Sequence, residues 1–506
     1  MMSYYGTIQP IDRPIRADRQ GAKRHYGVHP YFTRRPHNVV SEYIRRFSRE
    51  RDIVVDPFGG SGVTAIEAWL LNRTGIQNDI NPLANMIAAG IHSLAEGETA
   101  TLFEALDQVR LETQGALQRL PAEDNGNLEN HPLRNLLPAN IELPRNSDAK
   151  QYFDLFQHRQ LIGLAIIKQA IERVDDVNVK QALTLAWSAT LAKINKTFLS
   201  AEGRAESRGG SSIFSIYRYK VASKPVSLPI WSTFEERVLN IAEAKDEIRK
   251  TIDTRKAAEG WFGHFESRAL DIHDLAVEFK GKADYVFTDP PYGGHISYLD
   301  LSTLWNNWLG QMPSEAAREN EIIVGGDLKH SEESYVRRLG DSVTDCLAML
   351  KPDRWMSVVF QHWNVSYFAA ILDSASESGA ELKSAVSQIG DPIWSMHKKK
   401  NQSVLAGELI LTFQKTGLKK PCRKVGSFDV GKAVENLLLR AGDQVYGEAL
   451  LNDLILGAWR HNAIDELNID RESFVEMMGS NGWLYDEKHH RWSKNQKEAG
   501  LFSHAG

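Results

Sequence analysis

Asp289-Pro290-Pro291-Tyr292 follows the apolar run Tyr285-Val286-Phe287 and a polar step at Thr288, which is where a buried parallel strand would end. Ligands in open α/β sheets gather at the carboxyl ends of strands, so a carboxylate, two prolines and an aromatic ring held there form a candidate site. Each proline fixes its own φ and lacks an N–H, which stiffens the turn and leaves its carbonyls as acceptors. Asp289 adds a charged acceptor. Two neighbouring acceptors suit an exocyclic amino group, which has two hydrogens to donate, and the Tyr292 ring offers a face to a planar base. Taken alone, the tetrapeptide is equally compatible with a strand that simply ends in a Pro-Pro turn.

A second group of residues changes that balance. Asp56-Pro57-Phe58-Gly59-Gly60-Ser61-Gly62 follows the strand Ile53-Val54-Val55 and opens a helix carrying Val63, Ile66, Trp69 and Leu70. Glycines let a ligand approach the backbone closely, and a helix N-terminus offers unpaired N–H groups. No Gly-Lys-Ser/Thr closes the turn and it is not G-x-G-x-x-G, so phosphate-loop and dinucleotide fingerprints are both excluded. The acid at its front suits a ligand ammonium. A further acid, Asp79, ends the next predicted strand, Gly75 to Asn78, at the spacing of a ribose-binding carboxylate. By itself Asp79 also reads as a helix cap or a solvated turn. Ammonium and ribose together point to S-adenosyl-L-methionine.

The elements that must position these groups follow a strand–helix alternation. Val39, Val40, Tyr43, Ile44 and Phe47 predict a helix before the first strand, preceded by the rigid loop His29-Pro30-Tyr31-Phe32-Thr33-Arg34-Arg35-Pro36. Residues 95–260 interrupt the alternation with a helical insertion, in which Leu161, Leu164, Ala165 and Ile167 and then Leu183, Trp187, Leu191 and Ile194 form two apolar stripes. Ile213 to Lys220 alternates with period two and reads as a strand. The pattern resumes at Ser267 to Asp271, where a short strand again ends in an acid. Later come a helix over Val343 to Leu350, a turn at Lys351 to Arg354, a strand over Trp355 to Phe360 and two closing strands around Lys383–Ile389 and Glu408–Phe413. From about Gly426, three helices and a hairpin built on Trp483-Leu484-Tyr485 and Arg491-Trp492-Ser493 read either as a winged helix or as a packing or dimerisation appendage.

A chain of 506 residues exceeds what one core usually supports. With 42% hydrophobic and 25% charged residues it has the composition of a globular protein, and its polar start and lack of a long apolar run predict a cytoplasmic location without a membrane span. Two distant cysteines, Cys346 and Cys422, exclude a disulfide framework and a zinc ribbon, and no metal is expected. The net charge of −5 argues against an indiscriminate polyanion binder. Local patches do the opposite: residues 12–51 carry eleven Lys/Arg against four acids. Arg34 and Arg35 there, Arg204 and Arg208 in a Gly/Ser-rich loop, and Lys398, Lys399 and Lys400 are the expected nucleic-acid contacts.

Together the 29–36 loop, Asp56 to Gly62, Asp79-Ile80-Asn81-Pro82, Asp271 and Asp289 to Tyr292 resemble the ordered motifs of the S-adenosylmethionine-dependent DNA amino-methyltransferases, which act on adenine N6 or cytosine N4. The resemblance covers roughly residues 25–92 and 262–415. It implies an α/β fold with a Rossmann-like, doubly wound methyltransferase sheet, to which the chain's own patterning adds the helical insertion and a small C-terminal helical or winged-helix-like domain. The implied division is 1–94 and 261–418 for the two parts of the core, 95–260 for an insertion able to recognise the target, and 426–506 for the C-terminal domain. It also implies cofactor contacts for Tyr31, Phe32, Thr33, Asp56, Pro57, Phe58, Gly59, Gly60, Ser61, Gly62, Asp79, Ile80, Asp271 and Ile272, and a catalytic role for Asp289, Pro290, Pro291 and Tyr292. The Asp-Pro-Pro-Tyr form is the one more typical of adenine. The run Tyr298-Leu299-Asp300-Leu301-Ser302 with Trp305 and Trp308 resembles a set of predicted adenine-specific methylases. DNA is the expected partner, beside proteins of a modification or defence system. The alternatives are cytosine N4 methylation, guanine N2 methylation of RNA, and a non-catalytic nucleic-acid binder with a relic site.

Overall fold

The computed structural model describes residues 4–19, 22–120, 128, 131–199, 210–222, 225, 227–389, 407–419, 427–440, 442–486 and 491–494. In chain order, α1 (His37–Phe47) precedes β1 (Ile53–Asp56), α2 (Val63–Leu70), β2 (Thr74–Asn78) and α3 (Pro82–Ser93). The insertion follows as α4 (Thr99–Gln118), α5 (His158–Glu172), α6 (Val177–Leu191), the short strands β3 (Phe198–Leu199) and β4 (Gly210–Ser211), α7 (Ser212–Ser215) and α8 (Ile230–Glu259). Then come β5 (His264–Arg268), α9 (Ile272–Glu278), β6 (Ala283–Thr288), α10 (Tyr298–Leu301), α11 (Thr303–Leu309), α12 (Glu315–Asn320), α13 (Glu332–Met349), β7 (Leu350–Phe360), α14 (Val365–Glu377), β8 (Ala380–Ile389) and β9 (Gly407–Lys415).

Seven strands form one sheet in the order β5-β2-β1-β6-β7-β9-β8. The first five neighbours are parallel, whereas β9 runs antiparallel to both β7 and β8. The chain moves outward from β1 through β2 to β5, then returns to place β6 on the other side of β1. This makes β1/β6 the topological switch point, where a crevice opens beyond the strand ends. Val54, Val55, Tyr285, Val286 and Phe287 are buried on both faces, as the covered centre of a parallel sheet requires. This is the Rossmann-like, doubly wound fold expected from the motifs.

Each face of the sheet carries its own apolar core. One joins α1, α2 and α3 to the insertion through Val40, Ile87, Leu161, Leu183 and Phe234. The two apolar stripes pack on each other as helices α5 and α6, and the Trp187 indole N–H donates to Leu164 O at 3.0 Å. The other core joins α9, α13 and α14 to the C-terminal helices Val430–Arg440, Gly447–Arg460 and Arg471–Ser480 through Leu339, Phe368, Leu438 and Leu454. These helices accompany a small antiparallel sheet in the order β10 (Gln444–Val445), β12 (Arg491–Lys494), β11 (Trp483–Asp486). Among the described residues no helix is long and apolar enough to cross a membrane.

Two local expectations are corrected. Ile213 to Lys220 is not a strand: Ser211 caps the single helical turn of α7, and Ser212 Oγ bonds both Lys220 N and Lys220 O, folding the segment back on itself. Tyr219 is thereby buried and donates to Leu301 O at 2.6 Å, so long-range burial overrides the alternation. Lys351 to Arg354 does not stand before the strand but lies inside β7, bent at Asp353 (φ 62). The bend brings Lys351 Nζ and Arg354 Nε to the buried Asp284 carboxylate, at 2.7 and 3.0 Å, at the end of the sheet away from the crevice.

Candidate active site

β1 ends at Asp56, whose carboxylate accepts from Phe58 N at 3.2 Å and from the Thr288 hydroxyl at 3.0 Å. Thr288 is the last residue of β6, so one carboxylate ties the two central strand ends together. Asp56 is 4% exposed, and its burial pushes the carboxyl up to about 7. The turn that follows needs glycine where φ is positive, at Gly60 (51°) and at Gly62 (89°), the N-cap of α2. Gly60 N donates to Asp79 Oδ2 at 2.9 Å while Asn81 N donates to Oδ1 at 2.8 Å. Asp79 is thus held against the glycine turn, and burial pushes it up to about 6. Asn78, the last residue of β2, spans the crevice floor, donating to Pro57 O and Leu270 O and accepting from Leu270 N. No motif pointed to it.

Gly59 is required for a different reason. A Cβ there would lie 2.1 Å from Gln77 Oε1, and the fully buried Gln77 uses its Nε2 to hold Gly60 O at 3.0 Å. Gly59→Ala is expected to displace Gln77, costing about 1–3 kcal/mol as overpacking does, and to weaken binding at the turn. Thermal unfolding and calorimetry check this, and an unchanged melting temperature would show that the turn yields.

Asp289 stands directly beyond β6. Arg35 Nε donates to Asp289 Oδ2 at 2.5 Å and Arg35 Nη2 to the Tyr292 hydroxyl at 2.8 Å, while Arg35 Nη1 pairs with Glu408 on β9. Asp289 Oδ1 is buried and has no hydrogen-bond partner among the described residues. Burial raises the Asp289 carboxyl above the usual range, and the Arg35 charge opposes that rise. Tyr292 packs edge-on against Phe360 with ring centroids 5.0 Å apart. The turn is anchored by the Tyr335 hydroxyl, which donates to Pro291 O at 2.6 Å.

Between the glycine turn and Asp289 lies one cleft of about 980 Å3, counted with its open mouth. Of the candidate site residues singled out in the sequence, Tyr31, Thr33, Arg34, Arg35, Asp56 to Ser61, Asp79, Ile80, Asp271, Ile272, Asp289 and Pro291 line it, whereas Gly62 and Tyr292 do not. Tyr31 lies against Gly60, and Thr33 shares a 3.3 Å hydrogen bond with the Tyr298 hydroxyl. Asp271 caps α9 through His273 N at 2.9 Å and faces the cleft from the β5 end. Phe32 is placed elsewhere, in the core against Trp305, and Pro290 is buried behind its neighbours. Tyr298 and Glu321 line the cleft as well. Glu321 accepts from Leu299 N at 3.3 Å, and burial pushes its carboxyl up to about 8. It sits in no motif, so no sequence signal marked it, whereas Tyr298 opened a run already noted.

The basic arm is placed differently from an open phosphate-binding face. Arg34 turns inward and donates to Ser61 Oγ at 2.9 Å and to His29 O at 2.5 Å. Arg35, 15% exposed, is enclosed by Asp289 and Glu408. Lys23 pairs with the buried Glu67 of α2, and Arg24 with Glu243 of α8. Both expected phosphate contacts thus have partners within the chain, Arg34 in Ser61 Oγ and His29 O and Arg35 in Asp289, Tyr292 and Glu408. Arg204, Arg208, Lys398, Lys399 and Lys400 lie outside the described residues.

Comparison with known proteins agrees with this geometry. The N6/N4 DNA methylase family model matches residues 13–89, which hold the loop, the glycine turn and Asp79. The chain is also similar to the Type II methyltransferase M.MjaII of Methanocaldococcus jannaschii, with 31% identity over 400 residues that span 68% of this chain and 73% of the relative. That span takes the similarity well beyond the matched N-terminal segment, and with the parallel sheet and its switch-point cleft it makes this chain a member of the N6/N4 DNA amino-methyltransferase family.

Proposed function

We propose that this methyltransferase transfers a methyl group from S-adenosyl-L-methionine to the exocyclic amino group of a DNA base, adenine N6 before cytosine N4. The observation that carries the reading is Asp289 Oδ1, a buried acceptor on a cleft-lining residue with no partner among the described residues. A buried carboxylate oxygen without a partner is costly, and an amino N–H is the group that would satisfy it.

The cleft fits the cofactor by its donor set. Asp56 and Asp79 are both held above the usual carboxylate range by burial, a cost that a cationic ligand relieves, and at the glycine turn between them side chains would block close approach. Asp56, Gly60 and Asp79 would hold the ammonium, backbone-facing and ribose parts. When bound, the cofactor supplies an electrophilic methyl group. The chain's own part lies at the base. Asp289 Oδ1 accepts one amino hydrogen, and the Pro290 carbonyl is the proposed second acceptor. Drawing on both hydrogens localises a lone pair otherwise spread into the ring, and the rigid turn aims it. In a duplex the amino group is paired, so the base must leave the stack to reach Asp289. Tyr292 offers its ring to the extruded base while its hydroxyl stays tied to Arg35. The first residue of the tetrapeptide, aspartate in place of serine, favours adenine. Partner proteins of a modification or defence system remain part of the proposal.

Incubation with labelled cofactor and, in parallel, adenine-containing DNA, cytosine-containing DNA and RNA, followed by nucleoside analysis, tests this. N6-methyladenine in DNA is the expected product. N4-methylcytosine or N2-methylguanine would move the chain to that substrate, and label on a ring carbon would overturn the amino-group reading.

A further inference from the structure

Arg35 comes from the loop before α1, Asp289 from the end of β6 and Glu408 from the start of β9, and the three meet because β9 runs antiparallel to its neighbours. The first residues of β9 therefore lie beside the last residues of β7, with Leu409 opposite Phe360, at the end of the sheet that carries the site. Pro36 follows Arg35 and is itself extended at the N-cap of α1, and a residue before proline is biased away from the helical region, so the guanidinium is presented from a stiff loop. Its planar fork then reaches three oxygens at once, on Asp289, Tyr292 and Glu408.

We propose that Arg35 is a positioning residue for methyl transfer: clamped by Glu408, it occupies Asp289 Oδ2 and the Tyr292 hydroxyl, so that Asp289 presents Oδ1 alone to the incoming amino group. This rests on the reading of Asp289 as the base acceptor. Without the clamp the carboxylate would rotate about its side-chain torsion and offer either oxygen. The charges around Asp289 make the same residue matter to its ionisation. Burial and Glu408 oppose the carboxylate, while Arg35 and a hydrogen bond from the Tyr292 hydroxyl favour it; Asp56 lies at the next strand end, and Tyr298 lines the same cleft as a neutral phenol. A neutral carboxyl at Asp289 is a weaker acceptor, so Arg35 serves both the direction and the charge of that group. The role differs from the phosphate contact suggested by the arm's composition, and the two separate experimentally.

The test uses the full chain and measures single-turnover methyl transfer to DNA across pH, with cofactor and DNA affinities measured alongside. Arg35→Met is expected to slow transfer by about 10²-fold, the scale of a misplaced reacting group, with cofactor affinity unchanged. The acid limb of its pH profile should move to higher pH, because Asp289 loses the cation that favours its charged form. Arg35→Lys, which keeps the charge but not the fork, should recover part of the rate and return most of the limb. A wild-type rate and profile in Arg35→Met overturns the proposal, as does weakened DNA affinity with an unchanged single-turnover rate. Should Arg35→Met fail to fold, the profile of Arg35→Lys decides: a slower rate in a folded protein supports the clamp, and an unchanged rate and limb overturn it. Asp289→Ala in the same assay keeps the two readings apart. If that variant is active, the base-acceptor reading itself fails; if it is inactive while Arg35→Met is wild-type, only the clamp fails.

Discussion

Replacing Asp289 by alanine is expected to abolish measurable methyl transfer, by at least about 10²–10³-fold as for removal of one preorganised polar group at a reacting centre, while cofactor affinity stays at the wild-type level. The separation follows from position. Asp289 stands beyond β6, and the glycine turn stands beyond β1, each with its own hydrogen bonds. The Thr288 hydroxyl donates to the Asp56 carboxylate and ties the two strand ends, a link that the substitution leaves in place. Alanine also takes one partner from Arg35, which keeps Glu408 and the Tyr292 hydroxyl, so the fold should survive with a modest loss of stability. Asp289→Asn keeps an acceptor oxygen without the charge, and its activity relative to alanine measures how far hydrogen bonding outweighs charge. Equal rates for wild type and Asp289→Ala would exclude the carboxylate from the chemistry.

The second large effect is on cofactor binding. Asp56→Ala should weaken S-adenosyl-L-methionine by about 10- to 150-fold, the loss of one charge-assisted hydrogen bond worth roughly 1.5–3 kcal/mol. Asp56 is pushed up to about 7 in the ligand-free protein, so wild-type affinity should fall as pH drops through 7, and binding below that pH should release a proton. Calorimetry in buffers of different ionisation enthalpy reads both. The same shift predicts an opposite effect on stability. A carboxyl raised in the folded state contributes stability that is fully present below its unfolded value, near 4, and is lost as pH rises through about 7. Asp56→Asn, which removes the buried charge, should therefore raise the melting temperature of the ligand-free protein at pH 8 and do so progressively less toward pH 5. An affinity independent of pH between 5 and 8 would show that Asp56 does not meet the cofactor's charge.

Several features of this site were legible because their causes are local. The apolar run before Asp289, the glycines after Asp56 and the apolar stripes of the insertion each follow from neighbouring residues and a fixed period, and they mark strand ends and helices wherever the chain folds. The motif acids point to one site because each of them, Asp56, Asp79, Asp271 and Asp289, closes a predicted strand, and parallel strands bring their ends together.

What composition could not reveal is how each charge is answered. The arm around Arg35 reads as a basic patch only while its partners are unknown. Glu67, Glu243 and Glu408 neutralise parts of it from α2, α8 and β9, and the Arg35–Asp289 pair joins residues 254 positions apart. The alternation in Ile213 to Lys220 gave way for the same reason, since burial of Tyr219 against Leu301 is a contact that period two does not encode. Glu321 reaches the cleft from a stretch with no motif, carried there by the fold of the 293–330 segment. Residue type and spacing thus marked the groups proposed to do the chemistry and the strand ends near which they stand. Only the tertiary structure decided which of those charges remain available to a ligand, because pairing depends on distance in space and on loss of water, and neither is a property of the chain read in order.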